Sequence, residues 1–390
     1  MKSRFAIFRW LGCLFCCGLL FLFPASAAQA SSTQLTWLDS PIPISSAFKK
    51  AIKPQTWKFP QDLGAHNEYQ TEWWYYTGNL ETAEGRPFGF QLTFFRQALT
   101  AQPISSESHW RSNQIYSAHF TISDIHDRHF YPYERFSRGN VDLAGAEIAP
   151  YHVWLENWAA TELESGKVRL QAESTEAALD LVVEQTLPPI LHGDQGLFIK
   201  GIEPGNASYY YSLVQQPTAG TIKVNGKTYT VTGLTWKDHE YSTSALSPGT
   251  VGWDWFSMQF ENGSALMLYL LRRDDGTLQS TSAGTFIEPD GTMRSLTQHD
   301  WTVDVLDTWK SPTSKAVYPA RWTIAIPKLD LTVQGKPMMP NQELNTSTAT
   351  YWEGAVAFEG TVHQQPLQGK GYVELTGYAD RLDSLLSERT

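Results

Sequence analysis

Glu72-Trp73-Trp74-Tyr75-Tyr76-Thr77-Gly78-Asn79-Leu80 and Gly252-Trp253-Asp254-Trp255-Phe256-Ser257-Met258-Gln259-Phe260 read as two versions of one strand. Each sets bulky groups on both faces of an extended backbone. Each is followed by a glycine-containing turn and an apolar run ending in arginine, Phe88 to Arg96 and Ser264 to Arg272. Outward from this pair the match continues in order. Ala118-His119-Phe120-Thr121-Ile122 faces Ala283-Gly284-Thr285-Phe286-Ile287, Trp154 to Trp158 faces Val305 to Trp309, and Leu179-Asp180-Leu181 faces Leu329-Asp330-Leu331. The separation drifts one way, from 180 residues at Trp73 and Trp253 to 150 at Leu179 and Leu329, as loop deletions in the second copy would make it. The chain therefore reads as two copies of one β-rich module, each of roughly 150 residues.

The pattern around the repeat is all strand and turn. Asn225-Gly226 joins Thr221–Val224 to Lys227–Val231 as a two-residue hairpin, and Asn262-Gly263, Asp275-Gly276 and Asp290-Gly291 repeat the signal. Helical periodicity is short at best, a turn or two over Glu173–Leu179 or Asp380–Glu388. Strands at regular spacing without helices predict a sandwich or barrel. The modules are expected over residues 66–245 and 246–385, after an extended arm at 31–65 rich in proline.

Residues 1–30 read as a secretory signal peptide. Lys2, Arg4 and Arg9 precede the 14-residue apolar run Trp10–Phe23, and Ala28-Gln29-Ala30 is a small-x-small cleavage site. All three cysteines lie in this leader, so an exported, periplasmic or secreted chain would have neither disulfides nor thiolate chemistry. Losing the leader, which carries three cations and no acid, takes the formal net charge from −10 to −13. That balance argues against a nucleic acid partner.

Several familiar chemistries find no support. Gly220 to Thr228 has one residue too many to be a phosphate-binding loop and no helix pattern after it, and there is neither a Gly-x-Ser-x-Gly elbow nor a His-Glu-x-x-His pair. His119, His126 and His129 are close in sequence, but the latter two fall in a turn, so no metal site and no cofactor is expected. Two segments stand out instead. Trp236-Lys237-Asp238-His239-Glu240-Tyr241 packs two carboxylates and an imidazole between aromatics, with Asp238 and Glu240 on one face and His239 on the other. A carboxyl so placed would be raised by desolvation and could act as a general acid. Asp238, His239 and Glu240 are thus the catalytic candidates. The other segment is the paired strand: Glu72, Trp73, Trp74, Tyr76 and His119, then Trp236, Trp253, Asp254 and Trp255, are the ligand-binding candidates. The equivalence of Arg96 and Arg272 points to a structural role for both, such as closing a barrel against a tryptophan.

Glu72-Trp73-Trp74-Tyr75 with Gly78, Phe88-Gly89-Phe90-Gln91 leading to Arg96, Trp236 to Glu240, Trp253-Asp254-Trp255, Tyr351-Trp352-Glu353-Gly354 and Gly371 to Tyr378 together resemble the AttH and carotenoid 1,2-hydratase (CrtC) group. The resemblance implies two tandem lipocalin-like antiparallel β-barrel domains with a hydrophobic cavity in or between them. It implies an isoprenoid- or lipid-like small molecule, water addition to or folding of a polyene, and association with ABC transporter components. Three functions fit. A cavity without buried acids would mark an exported binder of an apolar molecule, a buried acid among Trp and Tyr a hydratase or cyclase, and filled barrels an interaction module.

Overall fold

The computed structural model describes residues 47–102, 112–140, 142–164, 166–244, 246–347 and 349–380. The expected leader, residues 31–46 of the expected arm and the expected helical turn after Asp380 lie outside them. Every named strand pairing is antiparallel, and the strands form two sheets. In the first, the order is His129–Arg138, Gln114–Asp124, Pro87–Ala98, Thr71–Glu81, Lys227–Ser242, Ala207–Val224, Ala177–Glu184, Lys167–Glu173, Trp158–Glu164, His152–Leu155 and Ala144–Glu147. The second runs Met293–Thr297, Ala283–Ile287, Ala265–Arg273, Thr250–Phe260, Gln365–Leu375, Thr350–Val362, Leu331–Pro337, Val317–Ile326 and Thr302–Lys310. Each first strand of a copy therefore pairs with the last, and each sheet curls into a lipocalin-like barrel. In the first barrel the curl brings Arg135 over the Trp158 ring at 4.3 Å.

Local sequence chemistry accounts for the joins. Asn225 and Gly226 both take positive φ, 48° and 76°, which a tight hairpin between Val224 and Lys227 requires. The expected helical turn at Glu173–Leu179 is a hairpin bend instead. Glu173 ends one strand and Ala177 begins its neighbour, because Leu179, Leu181 and Val183 alternate inward with a period of two. Gln215, at φ 52°, sits in a bulge and sends its amide across to the carbonyls of Phe260 and Ser264.

Of four apolar clusters among the described residues, three organise the barrels and their junction. Trp74, Phe90, Leu92, Phe120 and Trp158 belong to the one that fills the first barrel, and Phe256, Leu268, Trp322, Trp352 and Val373 to the one that fills the second. The third lies between the barrels, where Tyr75, Trp236, Tyr210, Trp255, Tyr269 and Tyr372 meet. The strands at the junction are thus buried on both faces, as their continuous aromatic runs demand.

The structure also refines the repeat. Trp73 stands opposite Glu240, and Trp255 stands opposite Glu374. Glu72 pairs with Arg96, and Asp254 pairs with Arg272. The counterpart of Trp73 is therefore Trp255 rather than Trp253. The match of Trp154–Trp158 with Val305–Trp309 fails in detail, since a turn separates Leu155 from Trp158 while Thr302–Lys310 is one strand.

Candidate active site

Alternation along Lys227–Ser242 divides its side chains between two environments. Lys237 and His239 enter the first barrel, while Trp236, Asp238 and Glu240 face the seam between barrels. The register extends this seam face across the sheet. Ser212, Asp238, Tyr75, Thr93 and His119 form one row, and Tyr210, Glu240, Trp73, Phe95 and Ser117 form the next.

Asp238 is buried and receives three hydrogen bonds. Ser212 Oγ and Trp236 Nε1 donate to Oδ1, the latter at 2.6 Å, and the Tyr210 hydroxyl donates to Oδ2 at 2.6 Å. Each of the first and last donors is held from the second barrel. Trp255 Nε1 donates to the Tyr210 oxygen at 3.1 Å, and His192 links Ser212 to Thr285. Burial pushes the Asp238 carboxyl up to about 7, against the pull of its three donors, and the charge of Glu240 adds to the rise.

Two more acids come from the second barrel. Glu353 accepts a 2.5 Å hydrogen bond from Tyr75, the residue opposite Asp238, and its Oε2 meets no partner among the described residues. Burial, with the negative charges of Glu374 and Asp238, raises Glu353 well above the usual carboxylate range, so it keeps its proton at neutral pH. Glu374 accepts from Trp253 Nε1 at 3.0 Å and is pushed up to about 7, chiefly by burial. Glu240 is ion-paired with Lys200, whose ammonium lies 5.0 Å from the Trp73 ring centre and 5.2 Å from that of Tyr269. Among the described residues, four carboxyl groups thus share a buried seam with one cation, Lys200. The seam cannot hold four charges, and protons stay on some of them.

Over residues 50–378 the chain matches the AttH-like family. The chain belongs to this family. A crystal structure of an AttH-type protein from Nitrosomonas europaea is 35% identical, with a TM-score of 0.76 over 85% of this chain and 100% of that one. Kievitone hydratase from Nectria haematococca shares the fold, with a TM-score of 0.63 at 17% identity over 86% of this chain and 94% of its own. In sequence, kievitone hydratase of Fusarium solani subsp. phaseoli is 28% identical over 213 residues, 53% of this chain and 59% of the fungal protein. Dehydratase asqC of Emericella nidulans is 24% identical over 218 residues, 53% of this chain and 60% of its own. The chain thus spans about three-fifths of the length of these curated relatives.

In this AttH-like chain the sequence candidates divide. Asp238, Glu240, Trp73, Trp236, Trp253 and Trp255 meet at the seam. His119 also faces it, sharing a 2.7 Å hydrogen bond with Tyr351 of the second barrel. Trp74 and Tyr76 do not, because the pleat turns them into the filled core of the first barrel. His239 and Glu72 also point away, into a buried knot. There Glu72 accepts from Arg96 Nε at 2.9 Å, His66 Nδ1 at 2.8 Å and His239 Nε2 at 2.9 Å. Burial alone would raise Glu72, but the Arg96 charge and both imidazoles hold it well below the carboxylate range. Burial opposes a charge on His66, yet hydrogen bonds with Asp62 and Glu72 lift it to about 9. Burial lowers His239 to about 4, so it is neutral and unsuited to join Asp238 in proton transfer.

Asp254 is paired with Arg272 and accepts from Tyr378, but burial outweighs both and raises its carboxyl. Neither arginine packs on a tryptophan as expected: Arg96 is spent on Glu72 and backbone carbonyls, and Arg272 stacks on Tyr378 at 3.8 Å. His66, Glu72 and His239 put three donor atoms within 4.8 Å of one another, but those atoms bond one another beside the Arg96 guanidinium, so the cluster is a hydrogen-bonded scaffold. His126 and His129 are exposed.

Glu353, Glu374, Lys200, Tyr210 and His192 escaped the sequence reading as site residues. Glu353 and Glu374 lay in the motifs that carried the resemblance, and that was the available signal. Beside the two rows, a recess of about 50 Å³ lined by Trp73, Phe95, Ser117, His119 and Phe136 opens on the seam face. A larger cleft of about 750 Å³, lined by Asn79, Gln259, Phe260, Lys336, Phe358 and Lys370, also borders both barrels but contains none of the raised acids.

Proposed function

We propose that this protein is an enzyme of the hydratase or dehydratase type, acting on an unsaturated, isoprenoid-like molecule admitted to the seam. The observation that carries the reading is the pairing of two unlike acids about Tyr75. Asp238 is held by three donors and has no proton of its own to spare above pH 7, whereas Glu353 retains its proton. Environments that push two carboxyls apart in this way assign acid and base.

Glu353 gives its proton to one alkene carbon. Positive charge develops on the adjacent carbon, facing the rings of Trp236, Trp255 and Tyr75. A water oxygen bonds to that carbon while Asp238 takes the water's proton. The product is the alcohol, and return of the proton from Asp238 to Glu353 resets the site. Dehydration is the same path reversed. The curated relatives that carry hydratase and dehydratase names support this class without fixing the substrate. Export, supported by the leader, and service to an ABC transporter, supported by the resemblance alone, belong to the same proposal.

The test is incubation with isoprenoid alkenes and the matching tertiary alcohols in ¹⁸O-labelled water. Gain of labelled water by an alkene, abolished by both Asp238→Asn and Glu353→Gln, is the expected result. Label uptake unchanged in both variants would overturn the reading.

A further inference from the structure

His192 is fully buried, and neither the repeat nor any motif singles it out. It follows the short strand Ile190–Leu191, and its backbone N–H bonds the Tyr210 carbonyl at 3.1 Å, fixing the ring beside the Tyr210 ring at a 4.3 Å separation. Both ring nitrogens are engaged. Nε2 lies 2.6 Å from Ser212 Oγ, and Nδ1 lies 2.8 Å from Thr285 Oγ1 on the Ala283–Ile287 strand of the second barrel.

The direction of this chain follows from what each group can do. An ionised Asp238 only accepts, so the single Ser212 proton points at Oδ1. Ser212 Oγ must then accept from His192, which places the ring proton on Nε2. Nδ1 is left as an acceptor and takes the Thr285 hydroxyl proton. A neutral ring suffices, and burial lowers His192 to about 3, which keeps it neutral. In the opposite polarity Asp238 itself would have to be the donor.

We infer that His192 is a positioning residue: it turns the Ser212 hydroxyl toward Asp238 and, through Thr285, makes that orientation depend on the docked second barrel. This rests on the reading of Asp238 as the proton acceptor of the seam. The chain stabilises the carboxylate over the acid, and so sets the pH at which Asp238 becomes a base. The charged and titratable groups around Asp238 are Glu240 on its own strand, Tyr210 and His192 beside it, Tyr75 on the neighbouring strand, Glu353 and Glu374 across the seam, and Lys200 paired to Glu240. Removing Ser212 or Thr285 leaves these in place, and removing His192 takes away only a neutral ring.

The experiment is titration of the Asp238 carboxyl by its infrared stretch, identified as the band lost in Asp238→Asn, so that no turnover is needed. Ser212→Ala is expected to raise the titration point by about one pH unit, the loss of one charge-assisted hydrogen bond. His192→Leu and Thr285→Val move it the same way by less, and His192→Gln, which keeps a donor for Ser212, restores it. A purely structural His192 would lower the melting temperature without moving the titration. An unshifted Asp238 in both His192→Leu and Thr285→Val overturns the inference, and Thr285→Val decides alone if His192→Leu does not fold. Loss of the hydratase reading looks different: Asp238→Asn turns over normally while the titration shifts persist.

Discussion

Glu72 and Glu353 are equally buried, yet one is held ionised and the other holds its proton. The difference is the company. Glu72 has the Arg96 guanidinium, two imidazoles and a backbone N–H, and the knot fastens the arm near His66 to the first barrel. Glu353 has one phenol and two other acids nearby. A carboxyl buried with a cation is part of the scaffold. One buried among other acids raises the free energy of the fold and has chemistry available in return.

The largest effect should come from breaking the scaffold pair. Arg96→Met leaves Glu72 charged and enclosed, and is expected to cost on the order of 3–5 kcal/mol in urea unfolding. The equivalent Arg272→Met also leaves a buried carboxyl, but Arg272 is the less enclosed arginine and Tyr378 still donates to Asp254, so a smaller loss, about 2–3 kcal/mol, is expected. Equal losses would show that the two pairs are not distinguished by how far the arginine is enclosed. On the seam side the sign reverses. Glu353→Gln removes an acid that is uncomfortable when charged, so the melting temperature at about pH 8 should hold or rise while turnover falls by about 10²-fold or more.

A smaller and slower effect follows from the pH dependence. Glu374 and Asp238 are raised from 4.5 and 3.8 to about 7, so the folded chain holds these protons longer than the unfolded one. Their contribution to stability is complete below the unfolded values and is lost as the pH climbs through about 7. The urea midpoint should therefore fall between about pH 5 and pH 7, and the double variant Asp238→Asn, Glu374→Gln should flatten that slope. Lys237, lowered by burial to about 7 from 10.5, acts in the opposite sense above that window. An unchanged slope in the double variant would mean that these acids are ionised in the folded chain.

Much of this was legible in the residues. The alternation of Trp236, Asp238 and Glu240 against Lys237 and His239 needs only the period of a strand, and the hairpin at Asn225-Gly226 needs only a backbone that tolerates positive φ. The shared role of Arg96 and Arg272 followed from the repeat. What the sequence hid were partners set by register and docking. Nothing local says that Glu72 meets Arg96, because that depends on which residues of two strands face one another. Trp74 and Tyr76 looked like Trp73, since a continuous aromatic run does not say which face is core. Glu353 and Glu374 join Asp238 only because the outer faces of two barrels close on each other. His192, in the turn after a two-residue strand, has no pattern to betray it.

The register has one further consequence. Trp73 opposite Glu240 and Trp255 opposite Glu374 are the same position in two halves, and by the same correspondence Asp238 answers to Tyr372 and Tyr210 to Glu353. Two identical barrels pressed together would present the same group twice, acid to acid and phenol to phenol. Joining them in one polypeptide freed each copy to drift alone. An acid could then be kept on one side where its twin became a phenol, and in the proposed reaction that broken symmetry gives the seam a giving side and a receiving side.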